Sequence, residues 1–528
     1  MGHIEVLLLG LLVALPTLSV LARWLGVPYP ILLVLGGLGI GFVPGVPDVE
    51  LDPELVLVLF LPPLLYVAAF FSNLRELRND VRAISLLAIG LVVVTACAVA
   101  VVAHELIDGL SWGAAFALGA IVSPTDPIAA TAVARRLGAP RRIVSIVEGE
   151  SLVNDGTALV IYRFAVAAAV GGSFSLAEAS FEFVLGIVGG VAVGLAVGWL
   201  VAHVRKRLDD PPTEITISLF TAYAAYLPAE QLELSGVIAA VTTGIYLGFR
   251  APELTTATTR IQLQSIWEIV TFLLNSILFI LIGLQLPAIL DGLDGHTTTE
   301  LIAYGAVVSA IVIGVRILWV LTVAYLIRAL DRRPSQVARR TGWRERLVVG
   351  WAGMRGAVSL AAALALPLET DAGAPFPERD LIVFITFAVI FSTLVLQGLT
   401  LPILIRRLGV HDDGAEEREE LEARMTAASA ALERLEELAE EEWTRDDTIE
   451  RMRGRYGYRQ RRFAARAAEG EDDRGYEERS LAYQQLERAV IEAQRDALVR
   501  LRNEGTISNE VMRRVERDLD LEESRLEI

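Results

Sequence analysis

Long apolar stretches recur along the first 410 residues and are separated by short polar segments. About 20 apolar residues in a helix cross the roughly 30 Å hydrocarbon core of a bilayer. We therefore predict an all-α polytopic membrane protein with about thirteen transmembrane helices. The predicted spans are roughly 4–22, 28–43, 54–72, 83–103, 111–134, 143–171, 176–204, 213–228, 234–249, 265–290, 300–327, 347–368 and 381–405.

Basic residues between these spans alternate in number. The loops after odd-numbered spans contain twenty Lys and Arg residues, whereas the loops after even-numbered spans contain Arg379 alone. Basic loops stay in the cytoplasm. The pattern predicts a multi-pass protein with its N-terminus outside and its C-terminal tail in the cytoplasm. We expect it to lie in the lipid of a bacterial-type plasma membrane.

Thirteen spans divide into six spans, one linking span and six further spans. The two groups of six would begin on opposite sides of the membrane. Span five is interrupted by Pro124 and Pro127, and span twelve contains Gly350, Gly353 and Gly356. Discontinuous helices at matching places of two inverted repeats indicate the binding site of a secondary transporter. The repeat rests on topology, because the halves share no visible sequence identity.

Residues 411–528 differ in kind from residues 1–410. They carry 33 acidic and 21 basic residues, a net charge of −12 out of −17 for the chain. Short heptad stripes predict a helical, coiled-coil-like cytoplasmic tail, and the Arg-rich segment 454–473 is predicted to be a loop between its helices. The stripes comprise Leu421, Met425, Ala428, Leu432, Leu435 and Ala439, then Leu486, Val490, Ala493 and Ala497.

The amino-acid composition excludes several classes of function. The chain is 53% hydrophobic and acidic overall, which argues against a nucleic-acid partner. Its lone cysteine, Cys97, offers no disulfide or thiolate metal site. Its single lysine, Lys206, follows no GxxxxGK[ST] motif, which excludes a P-loop ATPase. We expect neither a cofactor nor an enzymatic activity.

Span six carries the strongest chemical signal. Glu148, Ser151 and Asp155 share one helix face through their spacing of three and four, while Glu150 and Asn154 share the adjacent face. Ionisable residues at membrane depth usually face a cavity and mark an ion path. The alternative is that these groups satisfy one another between helices. Glu148, nearer the cytoplasmic end, fits a solvated helix end or an ion funnel equally well.

The sequence Ser123-Pro124-Thr125-Asp126-Pro127 breaks span five. Proline lacks a backbone donor and frees carbonyl groups, which a bilayer tolerates only beside a cavity or a partner. The carbonyl of Thr125 and the carboxylate of Asp126 are therefore candidate cation ligands. The alternative is a kinked helix that Asp126 caps without contacting a substrate.

Two arginines lie inside predicted spans, Arg316 in span eleven and Arg355 in span twelve. A buried cation needs an acidic or carbonyl partner. We predict a structural ion pair between Glu150 and Arg355 and a structural charge pairing for Arg316.

The motifs SPTDP, EGESLVNDG and GMRGAVSLA, in this order on three spans, resemble those of the monovalent cation:proton antiporter family. The resemblance covers about residues 5–410. It implies that Asp155 is the exchanging carboxylate and that Asn154, Ser151, Thr125 and Asp126 complete the ion site. It also implies a homodimer with a mobile six-helix core, and the Asn154-Asp155 pair resembles the electroneutral branch.

One position departs from that pattern. Many relatives carry an acidic residue after the motif of residues 61–66, where this chain has Val67. A carboxylate ligand of the third span is therefore expected to be missing.

The resulting hypothesis is exchange of Na⁺ for H⁺ in a 1:1 ratio. Burial in apolar protein disfavours a charged carboxylate, so Asp155 could bind either a cation or a proton. Exchange of K⁺ or Li⁺ stays open. A passive cation channel and an intramembrane aspartyl protease are weaker alternatives, since the protease needs its aspartates on continuous helices.

Overall fold

The structure is a computed structural model that describes residues 2–43, 53–171, 176–293, 296–330, 342–412, 414–467 and 471–524. Within these ranges the chain is helical, and the only β-type pairing is an isolated bridge between Glu369 and Pro375. The chain divides into two compact units, Met1–Asp412 and Asp413–Ile528. The functions assigned above to residues 1–410 and 411–528 remain predictions.

The helices of the first unit follow one another with short connections. They are α1 (Gly2–Leu25), α2 (Tyr29–Gly41), α3 (Pro53–Phe70), α4 (Leu74–Asn79), α5 (Val81–Ser85), α6 (Val92–Leu106), α7 (Trp112–Val122), α8 (Ile128–Arg136), α9 (Arg141–Gly171), α10 (Leu176–Arg205), α11 (Pro211–Gln231), α12 (Gly236–Leu254), α13 (Ala257–Leu284), α14 (Leu286–Asp291), α15 (Thr298–Leu330), α16 (Trp343–Trp351), α17 (Ala357–Leu364), α18 (Arg379–Ser392) and α19 (Gly398–Leu408). Wider π-helical turns join α5 to α6 at Leu86–Leu91 and α18 to α19 at Thr393–Gln397.

Helices lie where the spans were predicted. In the described part of the chain, six are long and apolar enough to cross a bilayer by length and composition. These are Val81–Leu106, Arg141–Gly171, Phe181–Arg205, Ala257–Leu290, Thr298–Val323 and Arg379–Leu408. The protein is thus a multi-pass, all-helical membrane protein, whereas the count of thirteen and the inverted repeat remain predictions.

Polar residues fix where several helices begin. The side-chain oxygens of Ser111, Asp210 and Thr256 each accept a hydrogen bond from the backbone N–H three residues later, at 3.1–3.3 Å. Such capping satisfies backbone donors that the first helical turn leaves free. It sets the starts of α7, α11 and α13.

Apolar packing forms separate clusters within the first unit. The largest joins α2, α6–α9, α13 and α15–α19. Smaller clusters join α3 to α10–α13. The candidate ion site described below lies where these groups of helices meet.

Small residues allow α2 and α13 to approach closely. A side chain at Gly37 would overlap the carbonyl of Ile280, and one at Gly283 would overlap the carbonyl of Val34. Small residues at helix crossings are typical of membrane proteins, where packing drives association. The crossing holds Tyr29 of α2 near Phe272 of α13, with ring centroids 5.6 Å apart.

The second unit is also helical. Its helices are α20 (Ala415–Ala439), α21 (Asp446–Ala467), α22 (Glu471–Asn503) and α23 (Asn509–Ser524). Leu421, Ala428 and Leu435 of the first heptad stripe are buried. Gln460 of α21 donates to Ser429 of α20 at 2.9 Å. The two helices therefore pack together.

One prediction for this unit is wrong. Described residues of the expected loop 454–473 are helical in 454–467 and 471–473. Arginine is a good helix former, and α21 also buries Ile449 and Phe463. The second heptad stripe stays a prediction; in this unit Leu486 and Val490 are exposed, and the neighbouring Ile491 is buried.

Candidate functional site

Two interrupted helices meet at the centre of the site. The first break, residues 123–127, lies between α7 and α8, and the second break, residues 352–356, lies between α16 and α17. The backbone N–H of Asp126, between α7 and α8, donates to the carbonyl of Met354, between α16 and α17, at 2.8 Å. Nε of Arg355 donates to the carbonyl of Val122 at 3.0 Å. Each break therefore satisfies backbone groups of the other, which allows irregular backbone within apolar surroundings.

Gly356 permits this close approach. A Cβ atom at Gly356 would overlap the carboxylate of Asp126. That carboxylate accepts the backbone N–H of Ile128 at 2.9 Å, at the start of α8. An acidic group is favoured at a helix N-terminus, where backbone donors point outward. Asp126 thus caps the half-helix and also borders the cavity described below.

Helix α9 brings the predicted polar residues against the first break. Glu150, Ser151, Asn154 and Asp155 are all buried. Nδ2 of Asn154 donates to Oγ1 of Thr125 at 3.0 Å. The structure therefore gathers Thr125, Asn154 and their neighbours as the spacing predicted, while their roles in ion binding remain to be tested.

The predicted Glu150–Arg355 pair is corrected by the structure. The guanidinium of Arg316 on α15 binds both carboxylate oxygens of Glu150, at 2.5 and 2.8 Å. Oγ1 of Thr125 donates to the same carboxylate at 3.1 Å. Glu150 and Arg316 are almost fully buried. A bidentate pair of this kind matches the planar fork of arginine to the carboxylate.

Arg355 instead binds backbone carbonyl groups at the two breaks. Its guanidinium donates to the carbonyls of Val122 and Gly353, and its backbone N–H donates to Oγ1 of Thr393 at 3.1 Å. These carbonyls are among those that the interrupted helices leave without a helical donor. Arg355 therefore offsets the partial negative charge of the carbonyl groups at the end of α7 and in the second break.

A cavity of about 520 Å³ adjoins the two breaks. Its lining includes Thr125, Asp126, Ser151 and Asp155 on one side and residues of α3 and α13 on the other. The carboxylate of Asp155 makes no hydrogen bond or ion pair to any residue that the structure describes. A buried carboxyl group without a partner in the protein is suited to take a cation or a proton from the cavity.

Glu148 lies at the rim of the same cavity. It forms an ion pair with Arg135 at 2.6 Å, and its side chain is 34% exposed. Val67 of α3 also lines the cavity, at the position where the family resemblance leads us to expect that a carboxylate is missing. The cavity wall at α3 carries an apolar side chain there.

Sequence reasoning missed some buried polar residues. Asn275 of α13 lines the cavity, is 2% exposed, and its Oδ1 has no hydrogen-bond partner in the described structure. The signal available was a lone amide inside an apolar run. Arg205 and Glu214 form another pair, 3.5 Å apart and fully buried, that joins α10 to α11.

A family model described as sodium/hydrogen exchanger, transmembrane, matches residues 9–407. The chain is 38% identical over 526 residues to a protein of Mycobacterium tuberculosis strain H37Rv named as an uncharacterized Na⁺/H⁺ exchanger, covering 99% of this chain and 96% of that one. It is 36% identical over 411 residues to a Na⁺/H⁺ antiporter of Aphanothece halophytica, covering 78% and 74%. It is also 36% identical over 389 residues to a sodium, potassium, lithium and rubidium/H⁺ antiporter of Bacillus subtilis, covering 72% and 58%.

Among solved structures, the fold is similar to the sodium proton antiporter MjNhaP1 of Methanocaldococcus jannaschii at pH 8. The TM-score is 0.57 at 20% identity, and the match covers 77% of this chain and 99% of that one. At this identity the likeness concerns the fold alone.

Proposed function

The chain belongs to the sodium/hydrogen exchanger family, and we propose that it exchanges one monovalent cation, in the first place Na⁺, for one proton. Members of this family are transporters, so the chain is not an enzyme. The observation that carries the proposal is the buried carboxylate of Asp155, which lines the cavity and has no partner among the described residues.

Competition at Asp155 is the proposed basis of coupling. A cation and a proton would each neutralise the carboxylate, and both cannot be bound at once. Hard cations prefer oxygen ligands, and Ser151, Thr125 and Asp126 contribute such oxygens to the same cavity. Access would change between the two sides of the membrane only when Asp155 is neutralised.

The neighbours of Asp155 suggest a 1:1 ratio. Asn154 is neutral, and its amide donates to Thr125. We assign Asp126 a fixed charge because it caps α8, which leaves Asp155 as the exchanging group. One alternating carboxylate moves one charge in each direction, so exchange would be electroneutral.

Matched variants test this assignment. In proteoliposomes, Asp155→Asn should abolish cation-driven proton flux, whereas Asp108→Asn, an exposed aspartate of the same unit, should leave it unchanged. Both proteins should elute as wild type does on size exclusion. Substantial coupled flux in purified Asp155→Asn would overturn the assignment, and flux that follows an imposed membrane potential without counterflow would indicate a channel.

K⁺/H⁺ exchange is the second candidate. The observation that favours it is the relative named as transporting sodium, potassium, lithium and rubidium. Parallel assays with Na⁺, Li⁺ and K⁺ at equal concentration rank these cations. A higher rate with K⁺ than with Na⁺ would replace our first choice.

We further propose a homodimer in the bacterial plasma membrane, with the N-terminus outside and the second unit in the cytoplasm as an accessory. Removal of the chain after Asp412 should leave coupled exchange with altered regulation at most, because the proposed ion ligands all precede that point. A correctly inserted truncated protein without exchange at any pH would show that the tail belongs to the transport machinery. Crosslinking in native membranes tests the dimer.

A further inference from the structure

A second cavity, of about 510 Å³, lies between α1, α8, α13 and α19. Most of its lining is apolar, but three arginines border it, namely Arg23, Arg136 and Arg406. Each lies in the last turn of its helix, α1, α8 or α19. We call this space the arginine cavity. The orientation predicted from the loops places these helix ends at the cytoplasmic face.

The polar side chains that line the arginine cavity make no hydrogen bond or ion pair to any residue that the structure describes. Its lining contains no acidic residue, and no ion pair is formed there by the three exposed arginines. The hydroxyl of Ser19, which also lines the cavity, is in a residue that is only 4% exposed and has no hydrogen-bond partner. Buried hydroxyls are normally hydrogen-bonded, so Ser19 indicates a missing acceptor.

We propose that the arginine cavity binds one anionic glycerophospholipid, with its phosphate between Arg23, Arg136 and Arg406 and an acyl chain along the apolar wall. Guanidinium groups match phosphate oxygens in geometry and charge, and a phosphodiester oxygen would also accept from Ser19. The cytoplasmic leaflet supplies anionic lipids and attracts basic residues. Helix α1 offers a route from the bilayer, since Leu12, Val13 and other apolar residues along it are exposed.

The arginine cavity shares a wall with the ion-site cavity. Tyr29, Phe272 and Ala132 line both spaces. Helix α8 also links them, because it begins beside Asp126 and ends at Arg136. A bound lipid would therefore stabilise the wall between the two cavities and the half-helix α8, which begins beside Asp126 of the proposed ion site. The inference goes beyond the proposed exchange, and lipid binding can be measured without any transport.

The test is native mass spectrometry of the full-length protein released from nonionic detergent, with phosphatidylglycerol, phosphatidylcholine or inorganic phosphate added. We expect phosphatidylglycerol to bind at least about tenfold more tightly than phosphatidylcholine. The triple variant Arg23→Gln, Arg136→Gln, Arg406→Gln should lose about 10- to 100-fold in phosphatidylglycerol affinity.

A matched control removes the same charge elsewhere. Arg78→Gln, Arg207→Gln and Arg407→Gln also replace three exposed arginines of the predicted cytoplasmic face, none of which lines the cavity. This control should keep wild-type affinity. Single Arg406→Gln and Ser19→Ala variants, less prone to misfolding, should each give a smaller loss.

Three outcomes would overturn the proposal. Equal losses in the two triple variants would mean general attraction of the basic face for anions. Equal binding of phosphatidylglycerol and phosphatidylcholine would remove the role of the arginines. Displacement of phosphatidylglycerol by millimolar inorganic phosphate would identify a site for the free anion rather than for a lipid.

Discussion

The buried pair between Glu150 and Arg316 gives a sharp energetic prediction. Arg316→Met removes two hydrogen bonds to Glu150 and one to the carbonyl of Val349. Glu150 would then remain buried with the hydroxyl of Thr125 as its hydrogen-bond donor. An uncompensated buried charge costs about 3–5 kcal/mol of folding stability. Glu150→Gln should cost a similar amount, because it leaves Arg316 charged without an anion.

The double variant Glu150→Gln, Arg316→Met removes both charges together. Apolar replacement of a whole buried pair is often close to neutral. The sum of the two single losses in the free energy of unfolding should therefore exceed the loss in the double variant by at least about 2 kcal/mol. The free energy of unfolding is measured in mixed micelles of a nonionic detergent and sodium dodecyl sulfate.

A second cycle, with Arg355→Met in place of Arg316→Met, is the internal control. Arg355 shares no hydrogen bond with Glu150 and binds backbone carbonyls instead. The coupling in this cycle should be clearly smaller. Additive losses for Glu150 and Arg316, or a larger coupling with Arg355, would refute the pairing that the structure gives.

Two further predictions concern the second break and the tail. Gly356→Ala should reduce both exchange and thermal stability because its new methyl group would overlap the Asp126 carboxylate. The control Gly314→Ala should be tolerated because this helical position has open space around it. Wild-type exchange in Gly356→Ala would contradict the close contact. The hydrogen bond from Arg453 lowers the pKa of Glu436 below its ordinary value of 4.5, so this pair stabilises the tail at neutral pH and the gain is lost as the pH falls through the lowered pKa. Glu436→Gln should therefore reduce the loss of tail stability at acid pH, measured by unfolding of the tail followed by circular dichroism. The reduction should be small because the pair is exposed, and an unchanged pH dependence of stability would contradict the prediction.

The broken helices and the polar face of α9 could be predicted because their causes are local. Two prolines in SPTDP remove backbone donors, and the three- and four-residue spacing in α9 fixes which side chains share a face. The choice of partner for Glu150 is not local. Arg316 and Arg355 lie 166 and 205 positions away, and only tertiary packing decides which one reaches the carboxylate.

Other features escaped sequence reasoning for related reasons. The charge of segment 454–473 predicts a loop, but its residues 454–467 are helical because Phe463 and the neighbouring helix α20 give them a packed face. The arginine cavity is assembled from three helix ends, so no sequence window contains it. In each case the deciding information is a contact between segments that are distant in the chain.

The crossing of the two breaks has a consequence for biosynthesis. The hydrogen bond from Arg355 to the carbonyl of Val122 joins residues 233 positions apart. At about 5–20 residues per second, a ribosome needs roughly 10–50 s to cover that distance. During this interval the first break is already made while its partner is not, so its free backbone groups need water or the insertion machinery. Substitutions at the second break could then reduce the yield of inserted protein before any cation is transported.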